Sequence, residues 1–310
     1  MPIQQEQIRA LSALEFKARQ VVEGFLAGLH KSPFHGFSVE FAEHRIYNPG
    51  ESTRHIDWKL YARTDKLFVK RYEEETNLRC QLVIDASSSM YYPEPSAARG
   101  AEALNKVEFA VHAAAAFLQL LRKQRDAAGL TLFTDRVNVV EEARSNAVHL
   151  RHLMGHLEAL LAADAPTRGR TTGIVEALNN IARRAQRRSL VVVLSDMLDS
   201  ADREDEVFDA LQHLRFNKHD IILFHVVDRK HELELDLQDR PYTFVDVETG
   251  QEVKAHPSEV REAYRTAMAE RWHRLKLKCG QYRIDLVEAD INAGFEPVLL
   301  EFLTKRARLY

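Results

Sequence analysis

The chain has 310 residues, 45% hydrophobic and 29% charged, with 12 Gly and 9 Pro, so it can bury a sizeable core in one large domain or two. A net charge of −3 gives no support to a nucleic-acid or anionic-membrane surface. Two cysteines, Cys80 and Cys279, stand far apart without metal-type spacing, which argues against a disulfide framework and for a reducing compartment.

The opening MPIQQEQIRA has neither the basic start nor the apolar core of a signal peptide. Leu14, Val21, Val22, Phe25, Leu26 and Leu29 then mark a helical segment, and a polar-aromatic region rich in strand formers runs to residue 78. From Cys80 onward short β-branched runs alternate with amphipathic helices. Gln81–Asp85 reads as a buried strand, followed by a helical stripe from Val107 through Phe117 to Leu121. His112 and Gln119 interrupt that stripe, so it falls short of the ~20 apolar residues that span a bilayer. The reading therefore expects a soluble, cytoplasmic protein.

Gly129–Phe133 reads as the next strand, with Val137–Val140 as a short neighbour, and a helix through Leu150, Leu153, Leu157 and Leu160 comes after it. A further helix carries Ile174, Ala177, Leu178 and Ile181 on one face. It closes on Arg183-Arg184-Ala185-Gln186-Arg187-Arg188, cations that complement the negative end of a helix dipole. Ser189–Leu194 is almost wholly apolar, as a central parallel strand covered on both faces should be. A helix with Val207, Phe208, Leu211 and Leu214 leads to the strand Ile221–Val227. A long helix through Val260, Tyr264, Met268, Trp272 and Leu275 leads to the strand Ile284–Val287, and Pro297–Arg308 closes the chain. This alternation predicts an α/β fold, a doubly wound, mostly parallel sheet flanked by helices. Residues 1–78 form an N-terminal helix and β-rich extension to the domain at 79–310. At about 229–257 the alternation of Leu233, Leu235 and Leu237 and the turn signal Glu248-Thr249-Gly250 predict a hairpin or small subdomain on the sheet's rim.

The most informative run is Val83-Ile84-Asp85-Ala86-Ser87-Ser88-Ser89. An apolar strand delivers one carboxylate and two hydroxyls, Asp85, Ser87 and Ser89, at alternate positions into the loop beyond its end. Oxygen ligands of this kind suit Mg²⁺ or Ca²⁺ rather than softer ions. In open α/β sheets ligands sit beyond the carboxyl ends of strands, and Asp196 in Leu194-Ser195-Asp196 is at such an end too. Thr171 and Thr172 lie just ahead of the helix that carries Ile174. Three loops thus bring oxygens to one edge, in a charge-poor set that leaves a cation short of a ligand.

These residues resemble the metal-ion-dependent adhesion site of von Willebrand factor A domains. The resemblance assigns Asp85, Ser87 and Ser89 to the first loop, a threonine to the second and Asp196 to the third. Helix register favours Thr172, whereas the Gly169-x-Thr spacing favours Thr171, and both stay open. The small residue pair usual before that threonine is replaced by Gly169-Arg170. The implied ion is Mg²⁺, with Mn²⁺ or Ca²⁺ as substitutes, and an acidic side chain of a partner completes its shell.

A second resemblance covers nearly the whole chain. The segment Val39 to Glu51, then Arg54-His55-Ile56-Asp57-Trp58, Ala62-Arg63-Thr64 and Val69-Lys70-Arg71-Tyr72-Glu73-Glu74-Glu75, is similar to the bacterial family called domain of unknown function 58. That family implies a MoxR-type AAA+ ATPase as partner, with this chain as adaptor or co-chaperone. Arg54, Asp57 and Trp58 are either partner-binding or structural. A Trp beside an Arg–Asp pair reads first as a packing anchor.

His149, His152 and His156 fall on one helical face. No neighbouring carboxylate or cysteine in the sequence completes a metal set, so they read as a solvated or partner-facing stripe. The chain has no G-x-x-x-x-G-K-[ST], G-x-G-x-x-G or G-x-S-x-G motif. A non-enzymatic, metal-dependent protein-binding module is the expectation. The alternative is a Mg-dependent phosphohydrolase that uses the same strand-end site.

Overall fold

A computed structural model describes residues 13–27, 38–48, 56–75, 78–94, 104–163, 173–186, 188–197, 203–246 and 250–309. The chain forms two compact units, one of residues 1–33 with 79–310 and one of residues 34–78. The smaller unit ends at Leu78. The first helix, α1 (Ala13–Ala27), belongs with the larger unit rather than with the extension. Leu14, Ala18 and Val22 give it a buried apolar face, and Glu15 Oε1 accepts from Arg122 Nη1 at 2.9 Å and from Gln119 Nε2 at 3.3 Å.

In the smaller unit β1 (Ser38–Ile46) pairs antiparallel with β2 (Phe68–Glu75), with a bulge between Phe41 and Glu43. Between them in sequence lies α2 (Trp58–Thr64), capped at its start by Asp57.

The larger unit is built on β3 (Arg79–Asp85), β4 (Ala127–Phe133), β5 (Val137–Arg144), β6 (Leu190–Ser195), β7 (Asp220–Val227) and β10 (Asp285–Asp290). The order across the sheet is β10-β7-β6-β3-β4-β5, with every neighbouring pair parallel except β4–β5. From the central β3–β6 pair the chain winds outward in both directions. That is the doubly wound, mostly parallel sheet expected from the sequence and implied by the von Willebrand factor A resemblance. All of β6 is buried, as is β3 from Cys80 to Asp85, which accounts for their unbroken apolar runs. Each fully buried Val, Leu or Ile there contributes roughly 1.5–3 kcal/mol.

Helices cover both faces: α3 (Lys106–Gln124), α4 (Ala147–Ala162), α5 (Ile174–Arg184), α6 (Glu204–Phe216), α7 (Pro257–Gln281) and α8 (Phe295–Leu309). The start of α3 is fixed by a reciprocal cap, in which Glu108 N donates to Asn105 Oδ1 and Asn105 N donates to Glu108 Oε2, both at 2.8 Å. As its charge pattern predicts, α5 ends on Arg183 and Arg184.

The insertion holds a hairpin of β8 (Tyr242–Val245) and β9 (Glu252–Ala255), closed through Gly250 at φ 72°. The Leu233, Leu235, Leu237 alternation does not form a strand. Residues Arg229–Leu233 make a π-helical turn, and Arg261 of α7 donates to the carbonyls of Leu235 (3.1 Å) and Leu237 (2.9 Å). A guanidinium takes the place of a neighbouring strand.

Candidate metal centre

The winding of the sheet reverses between β3 and β6, the place beyond the strands' carboxyl ends where ligands of open α/β sheets bind. Asp85, the last residue of β3, has no solvent exposure. Its Oδ1 accepts from Ser87 N at 2.9 Å and its Oδ2 from Ser195 Oγ at 2.7 Å. The chain then turns into a 3₁₀ segment, Ser88–Tyr91, which sets Ser87 Oγ 3.1 Å from Ser89 Oγ. Asp196 follows Ser195 at the end of β6 and is buried as well. Four of the sequence-predicted oxygen-bearing residues, Asp85, Ser87, Ser89 and Asp196, therefore stand buried at or just beyond the carboxyl ends of the neighbouring strands β3 and β6.

Thr171 and Thr172 lie outside the described residues, as does Arg54. Gly173, directly after the threonines, donates from its N to Thr134 O at 2.7 Å. A Cβ on Gly173 would sit 2.7 Å from Asp135 O, so this position joins the loop after β4 to α5 only without a side chain. Asp57 proves to be a helix cap whose Oδ1 accepts from Lys59 N at 3.0 Å and Leu60 N at 3.1 Å. Trp58 is 60% exposed and meets Tyr61 edge-on at 6.2 Å, so its ring is not the packing anchor expected from the sequence.

Four groups that sequence reasoning missed, Ser195, Lys106, Glu232 and His225, complete the electrostatics. Ser195 orients Asp85, as described. Lys106, wholly buried, donates to Asp196 Oδ2 at 2.7 Å and to Glu232 Oε1 at 2.6 Å. Lys106 is the first residue of α3, and helix side chains lean back toward the N-terminus, which brings its ammonium to the strand ends. Burial, with Asp196 adding to it, pushes the Asp85 carboxyl up to about 7. Burial also raises Glu232, although Lys106 opposes the shift. Burial pulls Lys106 down, but Asp196 and Glu232 outweigh it and hold the ammonium above its ordinary value. His225 is driven down to about 4 by burial and is therefore neutral.

This donor set fits a hard divalent cation. Every candidate ligand is oxygen, and two of the four are carboxylates, Asp85 and Asp196. The 3.1 Å between the two serine oxygens is close to the edge of about 2.9 Å in an octahedron with ligands at ~2.0–2.1 Å. A cleft of about 200 Å³ opens beside Asp196, walled by His225, Tyr264, Met268, Arg271 and Trp272.

Residues 43–274 match the family described as Protein of unknown function DUF58. The chain belongs to this family. It is 29% identical over 189 residues to the uncharacterized proteins Mb1516 of Mycobacterium bovis and Rv1480 of Mycobacterium tuberculosis strain H37Rv. These matches cover 61% of this chain and 56% of each relative, so the chain spans little more than half the length of these curated relatives. Among solved structures, the conserved hypothetical protein BatB from Bacteroides thetaiotaomicron is similar, with TM-score 0.41 and 12% identity, over 74% of this chain and 99% of that one. The manganese-loaded TRAP protein of Plasmodium vivax aligns with TM-score 0.33 and 14% identity, over 47% of this chain and 57% of that one. An aerotolerance-related membrane protein from Bacteroides fragilis aligns with TM-score 0.42 and 13% identity, over 75% of this chain and 100% of that one. Among the described residues of this DUF58 chain no helix is long and apolar enough to cross a membrane.

Proposed function

We propose that this DUF58 chain is a non-enzymatic, metal-ion-dependent protein-binding module, acting as adaptor or co-chaperone to a MoxR-type AAA+ ATPase. Asp85, Ser87, Ser89 and Asp196 would hold Mg²⁺, or Mn²⁺ or Ca²⁺ in its place, with Thr172 or Thr171 from the second loop. The bound ion supplies an electrophilic position for a carboxylate. The observation that carries the reading is the pair of buried carboxylates, Asp85 and Asp196, at the ends of two neighbouring parallel strands, with two hydroxyls in the loop beyond Asp85.

The chain's own residues have distinct tasks. Ser195 and the Ser87 amide fix the Asp85 carboxylate, while Lys106 orients Asp196. Arg271 donates to Met197 O at 2.6 Å and holds the third loop against α7. The cleft beside Asp196 offers apolar and aromatic surface, where a partner's neighbouring side chain would bury. Its wall includes His225, whose buried Nδ1 finds no hydrogen-bond partner among the described residues.

The test is a pulldown of the ATPase and its clients by the tagged chain, in Mg²⁺ and in chelator, with wild type and Asp85→Ala. Capture that needs the ion and is lost in a folded Asp85→Ala supports the reading. Capture indifferent to both overturns it. Hydrolysis of generic phosphoesters that disappears in Asp196→Ala would replace it with the phosphohydrolase alternative.

A further inference from the structure

We propose that Glu141, His152 and His156 form a second metal site, for a divalent transition ion of the Zn²⁺ class, at the antiparallel edge of the sheet. The sequence offered the two histidines without a carboxylate. The fold supplies it, because β5 runs alongside α4. His152 Nε2 lies 3.2 Å from Glu141 Oε1 and 3.2 Å from His156 Nε2, and His156 Nε2 lies 3.6 Å from Glu141 Oε1. Ligands bound at ~2.0–2.2 Å in a tetrahedron stand roughly 3.3–3.6 Å apart, so the three atoms already outline one face of such a site. Two imidazole nitrogens and one carboxylate oxygen favour Zn²⁺, Cu²⁺ or Ni²⁺ over the oxygen-seeking Mg²⁺ and Ca²⁺. The site is therefore chemically orthogonal to the oxygen set at Asp85.

The three ligands are set in place from behind. His149, one turn before His152, donates from Nε2 to Ala128 O at 3.0 Å, fixing the rotation of α4 against β4. Asn146 caps the same helix through His149 N at 2.8 Å. On the strand, the Glu141 carbonyl accepts from buried Gln81 Nε2 at 3.2 Å. Gly129 permits this approach, since a Cβ there would meet Glu141 O at 2.6 Å and Ala143 N at 2.8 Å. Spacing of i and i+4 puts His152 and His156 on one helical face, as two histidines of a zinc-binding helix require. The side chains of His152, His156 and Glu141 are 57%, 27% and 31% exposed. An ion can thus enter from solvent, and the fourth position is left for water or an incoming ligand. Once bound, it would clamp α4 to the edge strand.

The experiment uses the full chain, stripped with chelator and titrated with Co²⁺, whose visible absorption reports tetrahedral coordination, followed by displacement with Zn²⁺. The expected result is a tetrahedral Co²⁺ spectrum with Zn²⁺ competing. His152→Ala, His156→Ala and Glu141→Gln should each weaken binding by about tenfold or more, and Asp85→Ala should bind as wild type does. Wild-type affinity in both histidine variants overturns the proposal. So does a spectrum that survives them but vanishes in Asp85→Ala, which would place the ion at the strand ends. These side chains line the surface, so the variants are expected to fold, and their circular dichroism should match wild type.

Discussion

Lys106 Nζ lies 2.7 Å from Asp196 Oδ2, and the same ammonium reaches Glu232 Oε1 at 2.6 Å with none of its side chain exposed. One cation thus ties the start of α3, the end of β6 and the turn after β7 together at the candidate metal centre. Its removal leaves buried Asp196 and half-buried Glu232 without the cation that compensates them. We predict that Lys106→Met destabilises the fold by about 3–5 kcal/mol, the usual cost of stranding half of a buried ion pair. Urea unfolding checks this, and Mg²⁺ should recover part of the loss. An unchanged midpoint would show that the ion pair contributes nothing.

Ser195 makes a quieter contribution. Its hydroxyl donates to Asp85 Oδ2 at 2.7 Å and accepts from Met197 N at 3.1 Å. Ser195→Ala leaves that carboxylate oxygen without the donor, at a cost of about 1–3 kcal/mol. It also frees the ligand to rotate, which should lower Mg²⁺ affinity by roughly 10–100-fold. Calorimetric titration of wild type and variant reads both quantities, and equal affinities would remove Ser195 from the site.

The pH dependence follows from Asp85, which stands at about 7 in the folded chain against an ordinary value of 3.8. A raised carboxyl binds its proton more tightly when folded. Its contribution to stability is therefore complete below the ordinary value and is lost as pH climbs through about 7. In chelator the protein should melt lower at pH about 8 than at pH about 6 from this group. Magnesium must displace the proton, so its stabilising effect should be larger at the higher pH. Melting curves with and without the ion test the sign, and a larger magnesium effect under acid conditions contradicts it.

Cys279 and Cys80 are buried, and burial, with Glu204 adding to it, pushes the Cys279 thiol up to about 12. Both should resist iodoacetamide in the native protein and react within the unfolding transition. Mass spectrometry of quenched samples follows the modification. Fast labelling of Cys279 before unfolding would mean that the C-terminal end of α7 opens locally.

Much of this was legible in the residues themselves. The apolar runs of β3 and β6 announce central strands, and Asp85 and Asp196 are placed simply by standing at their ends. Lys106 was not legible, because its partner Glu232 is 126 positions away and nothing local distinguishes a helix-opening lysine that will be buried. Glu141 was hidden for a similar reason: only the reversal from β5 into α4 turns an ordinary strand glutamate toward His152. The leucines at 233, 235 and 237 misled through a period of two that no strand answers, because Arg261 binds the carbonyls instead. The stripe on α1 showed that a face is covered. That α3 covers it depends on Glu15 meeting Gln119 and Arg122, more than a hundred residues later.

In the parallel pairing of β3 with β6, Ile84 stands opposite Leu194, and Asp85 and Ser195 come one step beyond. Sliding either ribbon by a single position would invert every side chain and send the carboxylate to the far side of the sheet. An ion captured there can reward only chains threaded in the correct alignment. Divalent-ion binding would then serve as a proofreading step for sheet assembly, independent of whatever the finished surface later grips.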